Sequence, residues 1–207
     1  MDITYLGAGG VRLQGKNLDV VCDAPAASKA KGDVATWSVK TEVGGEPLAA
    51  PSGAMVIDGP GEYEVKRAMI TGVPVRLHID ESGHRGTAYS IVIDGINVVV
   101  TGNIAGKLDE DQIENLGSVD VLVVPVGGGG LTLDAEGAVA VVTQLEPSYV
   151  VPVHYDDGVS KYPVPQAGVE KFLKEMGVNP EPETKLKLAV REEVTETKVV
   201  VLNRVGI

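Results

Sequence analysis

The 207-residue chain has almost none of the side chains that build disulfide frameworks or thiolate metal sites. Its only cysteine, Cys22, has no partner for an internal disulfide, and one thiol cannot form a cysteine-rich metal site. Cys22 lies in an apolar segment, which indicates a packing role and not that of a nucleophile. A chain without disulfides suits a reducing compartment, and we predict a cytoplasmic location.

Basic side chains are also scarce, because 18 Lys and Arg face 29 Asp and Glu, giving a formal net charge of -11. Proteins that bind nucleic acid or anionic membrane surfaces need clustered positive charge. No apolar run reaches the roughly 18 residues of a spanning helix. Residues 1–5 do not begin a basic and then apolar leader. We therefore predict a soluble protein with no nucleic-acid partner and no membrane partner.

Apolar runs joined through a helical pattern indicate an α/β fold. Residues 121–126 and 149–153 are apolar nearly throughout, and residues 134–145 between them have helical periodicity. Strands that are apolar on both faces belong to a sheet covered by helices. His154 follows the second run directly, at a strand end, where ligands collect in such folds. With 43% hydrophobic residues the chain can bury one core, and we predict a single domain over residues 1–207.

Shorter patterns predict the other elements. Segments rich in β-branched and apolar residues predict strands at 3–6, 18–22, 34–38, 55–57, 63–65, 70–77 and 90–93. Acidic residues in the first turn predict a helix at 109–116, and a stop at Gly177 predicts another at 166–176. The segments 186–190 and 198–202 predict a terminal hairpin.

An internal similarity predicts two related halves. Residues 15–23 (GKNLDVVCD) resemble residues 95–103 (GINVVVTGN), and a second strand follows each segment. The halves, about 1–94 and 95–207, would each contain a hairpin, a crossover and a further strand. Such halves form two facing sheets with helices outside, which is a four-layer αββα sandwich.

Several short segments follow one another in a specific order and spacing. They lie at 3–7, 59–65, 70–73, 120–128, 152–155, 185–188 and 198–202, and so extend through nearly the whole chain. In this order the chain resembles the metallo-β-lactamase fold superfamily, in particular its branch of ascorbate-phosphate lactonase-like Zn-dependent hydrolases. The resemblance implies the αββα fold and, for relatives with an intact site, zinc-dependent hydrolysis.

The resemblance also implies a set of zinc ligands, and most of their positions carry other residues here. The superfamily's H-x-H-x-D-H loop corresponds to Val39, Thr41, Val43 and Gly44. Its later H-x-G-D segment corresponds to residues 100–103, where Val100 replaces the histidine and Asn103 replaces the aspartate that bridges two metals. Ala8 stands in place of a histidine after the first strand.

The residual site candidates are His154, Asn103 and His78. His154 keeps the position of the superfamily's last histidine. His78 lies in the region of a middle ligand, but a gapless alignment from residues 70–72 places Leu77 there. A slip of one residue turns a strand side chain to the opposite face, so His78 would point away from the site if Leu77 occupies the ligand position. His84 lies in a polar stretch that is typical of a solvated loop.

This donor set favours a metal-free protein. Catalytic zinc generally has three protein ligands and one open position, whereas His154, Asn103 and His78 supply at most two imidazoles and a neutral oxygen. We predict no metal, no cofactor and no catalysis, with the fold kept as a scaffold that binds a small molecule or a protein, or forms a homo-oligomer. The former site would be filled by Trp37, Val39, Val43 and Val100.

The alternative is a divergent hydrolase of lactones or phosphate esters with a site rebuilt around His154. The carboxylates considered for such a site are Asp23, Glu42, Asp156 and Asp157. Nothing in their spacing requires this arrangement. The alternative predicts an open polar cleft that contains His154, Asn103 and at least one carboxylate.

Two other motifs favour structural roles. The glycines at 127–130 precede a helix, as in phosphate-binding loops, but no Lys-Ser/Thr signature follows them. Ser38 lies in no G-x-S-x-G elbow, which argues against a serine hydrolase. We therefore expect the glycines to form a turn.

Overall fold

We describe the protein from a computed structural model, in which residues 1–39, 47–77, 85–189 and 195–205 are described. The strands are β1 (Asp2–Gly7), β2 (Gly10–Gln14), β3 (Asp19–Cys22), β4 (Val34–Thr36), β5 (Met55–Ile57), β6 (Gly61–Val65), β7 (Ala68–Arg76), β8 (Arg85–Ile93), β9 (Ile96–Val100), β10 (Val121–Pro125), β11 (Tyr149–Val153), β12 (Leu186–Lys187) and β13 (Lys198–Val199). The helices are α1 (Glu110–Leu116), α2 (Ala135–Leu145) and α3 (Val169–Met176), with a 3-10 turn at Ala26–Ser28.

The strands form two sheets with related pairing patterns. One has six strands in the order β12-β1-β2-β3-β4-β5, and the other has seven in the order β13-β11-β10-β9-β8-β7-β6. In the first sheet β2 and β3 are antiparallel, and β4 then pairs parallel to β3. In the second, β8 and β9 are antiparallel, and β10 then pairs parallel to β9. The similar segments 15–23 and 95–103 contain β3 and β9, which thus occupy equivalent places.

The core lies between the two sheets. Buried residues of both sheets, such as Leu13 of β2 and Ile91 of β8, belong to one apolar cluster. Cys22 lies in this cluster, and burial raises the pKa of its thiol to about 12. The expected α/β fold with two sheets is thereby confirmed.

The α-helices of the described residues all lie after residue 109 and flank the second sheet, where α1 packs on β7, α2 on β10 and α3 on α2. Over the first sheet, the described part of the chain contributes only the short turn Ala26–Ser28. No helix among the described residues combines the length and apolarity needed to cross a membrane.

The helix ends follow from local side chains. Asp109 caps α1 in a reciprocal capping box with Gln112, and Asp134 caps α2 by accepting a hydrogen bond from Gly137 N at 2.8 Å. Both starts agree with the sequence. Helix α3 begins after Gly168, three residues later than the predicted 166, and ends at Gly177 with φ of 69°.

Two predictions about strands were wrong. The terminal segments do not form a hairpin, because β12 pairs with β1 in the first sheet and β13 pairs with β11 in the second. Alternation indicates that a segment is a strand but does not name its partner. Strand β2 was not predicted, although its residues Val11 and Leu13 are buried. A tight turn at residues 8–9 joins it to β1, so the sequence of the two strands resembles a single segment.

Candidate functional site

His154 follows the last residue of β11 and is held by the backbone on both sides. Its N–H donates to Ala8 O at 2.6 Å, and its carbonyl accepts a hydrogen bond from Gly127 N at 3.0 Å. Its φ of 51° lies in the left-handed region, which an L residue adopts only when neighbouring contacts fix it. The strand end therefore places this imidazole between the loop after β1 and the loop after β10.

The imidazole of His154 is fully buried, with 0% of the residue exposed. Neither ring nitrogen has a hydrogen-bond partner among the described residues, and the ring of Tyr162 lies 4.8 Å away, centroid to centroid. Burial lowers the pKa of His154 to about 4, an effect that its own backbone and the nearby Gln166 side chain oppose. No hydrogen bond joins Gln166 to the ring. The imidazole is therefore neutral near pH 7.

Beside His154 lies a small cavity of about 10 Å³. Its polar side chains are those of Asp23, Asn103 and His154. The other lining residues are small or apolar, namely Gly9, Val100, Gly102, Val123, Pro125 and Val153. A cavity of roughly this volume holds one water molecule at most. The residual candidates His154 and Asn103 thus meet at one small space, with Val100 as part of its wall.

Asp23 also lines this cavity, although the sequence analysis gave it little weight. It follows β3 with φ of 44°, its side chain is buried, and its Oδ1 accepts a hydrogen bond from Ser38 N at 2.7 Å. Burial raises the pKa of Asp23 to about 6, and the neighbouring Ser38, whose N–H donates to the carboxylate, opposes that shift. A signal for it was present, because the internal similarity aligns Asp23 with Asn103, and both line the cavity.

The other sequence candidates that fall within the described residues do not line this cavity. Trp37 and Val39, expected to fill the former site, do not line it. Asp156 is exposed, and its Oδ1 accepts a hydrogen bond from Gly158 N at 3.0 Å. The remaining candidates lie in 40–46 and 78–84, outside the described residues: Thr41, Glu42, Val43, Gly44, His78 and His84. Leu77, the alternative to His78, is described; it forms a bridge with Ile104 and does not line the cavity.

Asp157 belongs to a separate hydrogen-bonded cluster. Its carboxylate accepts hydrogen bonds from Ser160 N at 2.6 Å, Ser160 Oγ at 3.0 Å and Arg204 Nη1 at 3.3 Å. Burial raises the pKa of Asp157, but the hydrogen bonds from Ser160 and Val159 and the charge of Arg204 outweigh burial, so the net pKa is lowered. This carboxylate is committed to its loop and does not reach the cavity lining.

The described residues do not fit a zinc centre. Among them, no group of three His, Cys, Asp or Glu side chains is arranged to hold a metal ion. One oxygen of Asp23 is already bound by Ser38 N, and Asn103 offers only neutral amide atoms. Catalytic zinc needs three protein ligands at about 2.0–2.3 Å and room for a water or substrate. We derive no chemical step through a metal at this cavity.

The glycine loop after β10 is a structural turn. A Cβ on Gly127 would lie 2.4 Å from His154 O, and Gly128, Gly129 and Gly130 have φ of 71°, 67° and 77°. The loop borders a groove of about 640 Å³ that also includes three carboxylates (Asp134, Glu136 and Glu175) and two lysines (Lys171 and Lys174). Carboxylates outnumber lysines there, so the groove does not favour a phosphate.

Comparison with known proteins adds a family and a fold. A family model described as a β-lactamase superfamily domain matches residues 2–154. A metal-dependent hydrolase of Natranaerobius thermophilus is 31% identical over 124 residues, which are 59% of this chain and 52% of that protein. One from Thermococcus onnurineus is 30% identical over 122 residues, 56% of this chain and 52% of that protein. The chain thus spans about half the length of the curated relatives it matches.

A solved structure matches over almost the full length of both chains. It is that of a candidate Zn-dependent hydrolase of the metallo-β-lactamase superfamily from Thermotoga maritima. The TM-score is 0.74 and the sequence identity 26%, with 98% of this chain and 99% of the other covered.

Proposed function

Since the chain belongs to the β-lactamase superfamily, we propose that it is a member that has lost the hydrolytic metal centre and keeps the fold as a non-catalytic scaffold for a protein or small-molecule partner. Relatives of the chain are metal-dependent hydrolases. The proposal therefore concerns a change in this chain's own site and not a different fold.

One observation supports the proposal above all others, which is the small volume, about 10 Å³, of the cavity beside His154. Metal-dependent hydrolysis needs space for the ion, its activated water and the scissile group of a substrate. The cavity at this strand end has room for about one water molecule. Val100, Val123 and Val153 form much of its wall, so water and substrate have no polar route through that side.

The composition of the chain points the same way. It contains only three histidines, at positions 78, 84 and 154. The segment equivalent to the ligand loop, residues 39–44, reads VKTEVG and contains no histidine. A zinc-bound water with a pKa near 7 requires a ligand set that holds the ion first.

The alternative, a rebuilt hydrolase, is favoured by one specific observation. Asp23, Asn103 and His154 converge on the same cavity, as a site rebuilt around the histidine requires. The cavity has a volume of only about 10 Å³, however, which is far smaller than the cleft that a substrate needs. The two functions therefore differ in a measurable way, which is the uptake of metal.

The first prediction concerns metal content. Tag-free protein is exposed in turn to zinc, manganese and iron, desalted, and analysed for metal by mass spectrometry. We expect far less than one metal ion per chain, with no difference between the wild type and His154→Ala, because the histidine has too few co-ligands. Stoichiometric metal that disappears in His154→Ala would refute the proposal.

A matched gain-of-function variant tests the reason for the loss. It carries the superfamily residues at the substituted positions: Val39→His, Thr41→His, Val43→Asp, Gly44→His, Val100→His and Asn103→Asp. We expect this variant to retain zinc where the wild type does not. Turnover of a lactone or phosphate ester by the wild type, abolished by both Asp23→Asn and His154→Ala, would instead establish the rebuilt hydrolase.

A further inference from the structure

The second sheet ends in a strand with an unpaired side. Strand β6 is the last of its sheet, and within the described parts of the chain its only partner strand is β7. Gly61, Glu62 and Glu64 are exposed along it. We call the free side of residues 61–65 the β6 edge.

The other sheet ends are shorter and less available. The first sheet ends in β12, with two residues, and β5, with three. The second ends in β13, with two residues, and β6, with five. Short edge strands offer little backbone for pairing with another chain. The β6 edge is therefore the longest pairing surface at any sheet end among the described residues.

The backbone groups that point outward belong to two glutamates. Lys66 and Arg67, with φ of 47° and 71°, form a two-residue turn, so the closing pair Val65 and Ala68 is hydrogen-bonded. Hydrogen-bonded and non-bonded pairs then alternate along an antiparallel ladder. Glu62 and Glu64 fall in non-bonded pairs, which directs their N–H and C=O groups away from β7.

The side chains of the β6 edge have two faces. Glu62 and Glu64 are exposed on one face, and Tyr63 packs partly against the core on the other. A strand added at the β6 edge would place alternate side chains beside the glutamates and the intervening one on the apolar side.

A second copy of this chain does not suit the β6 edge. Antiparallel pairing joins outward-pointing residues to outward-pointing residues, so two copies would set Glu62 and Glu64 of one against Glu62 and Glu64 of the other. Like charges directly opposite each other destabilise a strand pair. The net charge of -11 on each chain adds to this repulsion.

We propose that the β6 edge binds an extended segment of a partner protein that has Lys or Arg at alternate positions and an apolar residue between them. The outward N–H and C=O groups of Glu62 and Glu64 supply the ladder, and their carboxylates select the basic side chains. The inference goes beyond the scaffold role in naming the partner's chemistry. It holds whether or not metal binds beside His154, so its failure is separable from that of the proposed function.

The test uses the full chain labelled with nitrogen-15 and the peptide acetyl-Thr-Lys-Val-Lys-Thr-amide. We expect the amide signals of Glu62 and Glu64 to shift on titration, as new hydrogen bonds form at these residues. A matched peptide with N-methyl groups on the pairing residues keeps the charges but cannot form the ladder, and we expect it not to bind. Equal binding of both peptides, or shifts confined to other surfaces, would overturn the proposal.

Charge selection is tested by two variants with the same change in net charge. Glu62→Gln combined with Glu64→Gln should weaken peptide binding about fivefold, because two cross-strand ion pairs are lost. Glu170→Gln combined with Glu175→Gln, at exposed positions of α3, should leave the affinity close to that of the wild type. Equal losses in both variants would show that only the overall charge attracts the peptide and would refute the assignment.

Discussion

At the scale of residues, the main feature is that two buried titratable groups share one cavity and have opposite pKa shifts. Burial raises the pKa of Asp23 to about 6 and lowers that of His154 to about 4. In each case burial disfavours the charged form, so both side chains are driven towards neutrality. Near pH 7 His154 is therefore neutral, whereas Asp23 is still largely ionised and becomes neutral only below about pH 6.

The raised pKa of Asp23 predicts a specific dependence of stability on pH. A carboxyl group whose folded pKa is raised from 3.8 to about 6 gives stability that is complete below pH 3.8 and is lost as the pH rises through about 6. His154, lowered from 6.5 to about 4, gives stability that is present above pH 6.5 and is lost as the pH falls towards 4. The two slopes oppose each other between these limits.

Asp23→Asn should remove one of the two opposing slopes. Between pH 4 and pH 6.5, its free energy of unfolding should rise by about 2 kcal/mol more than that of the wild type, measured by urea unfolding. Asp33→Asn is the control. The carboxyl of Asp33 is exposed and its pKa is lowered from 3.8, so its contribution to the free energy of unfolding changes only below about pH 3.8. Parallel curves for Asp23→Asn and the wild type would contradict the shift assigned to Asp23.

The sequence predicts part of this site and misses the rest for physical reasons. The sequence identifies His154 because this residue directly follows an apolar strand. It identifies Asn103 because residues 100–103 correspond to the superfamily's H-x-G-D segment. Asp23 was one carboxylate among 29 acidic residues, and only its alignment with Asn103 in the internal similarity distinguishes it. Trp37 was expected to fill the former site, but it is outside the lining, and its carbonyl accepts a hydrogen bond from Tyr89 Oη at 3.1 Å.

At the scale of elements, the loop from β10 to α2 is fitted closely to the end of β11. Gly127 N donates to His154 O, and a Cβ at Gly127 would lie 2.4 Å from that same oxygen and 2.6 Å from Gln166 Oε1. The carbonyl is backbone and cannot rotate away. The position of His154 therefore depends on a missing side chain in a neighbouring loop.

Gly127→Ala should destabilise the protein by about 2 kcal/mol or more, because the methyl group overpacks against backbone. Gly59→Ala is the matched control, since its Cβ would meet nothing within 4 Å and its φ is not in the left-handed region. Free energies of unfolding in urea compare the two directly. Similar values for both variants would show that the loop can move aside.

Elements with their own periodicity or caps were predicted well, and those defined by pairing were not. Asp109 and Asp134 mark the starts of α1 and α2 because their carboxylates bind backbone N–H groups nearby in sequence. The strands β12 and β13 have two residues each, and their partners β1 and β11 lie far away along the chain. Local patterns carry no information about such distant pairing.

At the scale of the whole molecule, the order of motifs in the sequence predicts the fold. It does not predict which backbone groups are unpaired at the ends of the sheets. The exposed side of β6 could be assigned only once its turn and register with β7 were known. The same glutamates that select a basic strand also oppose self-pairing through their charge.

Glu62→Gln combined with Glu64→Gln should therefore increase self-association relative to the wild type. Removing the opposed charges leaves a strand whose outward backbone groups can pair between two copies. Sedimentation velocity at matched concentrations should show a larger dimer fraction for this variant than for Glu170→Gln with Glu175→Gln, which has the same net charge. Identical distributions for the two variants would contradict a protective role for the β6 edge.

The buried thiol of Cys22 makes the opening of the core observable as a rate. It is the only cysteine of the chain, it is completely buried, and its pKa of about 12 keeps it protonated and unreactive in the closed state. A thiol reagent can modify it only during excursions that separate the two sheets near β3. The time course of labelling thus counts those excursions at a native residue, without an engineered cysteine.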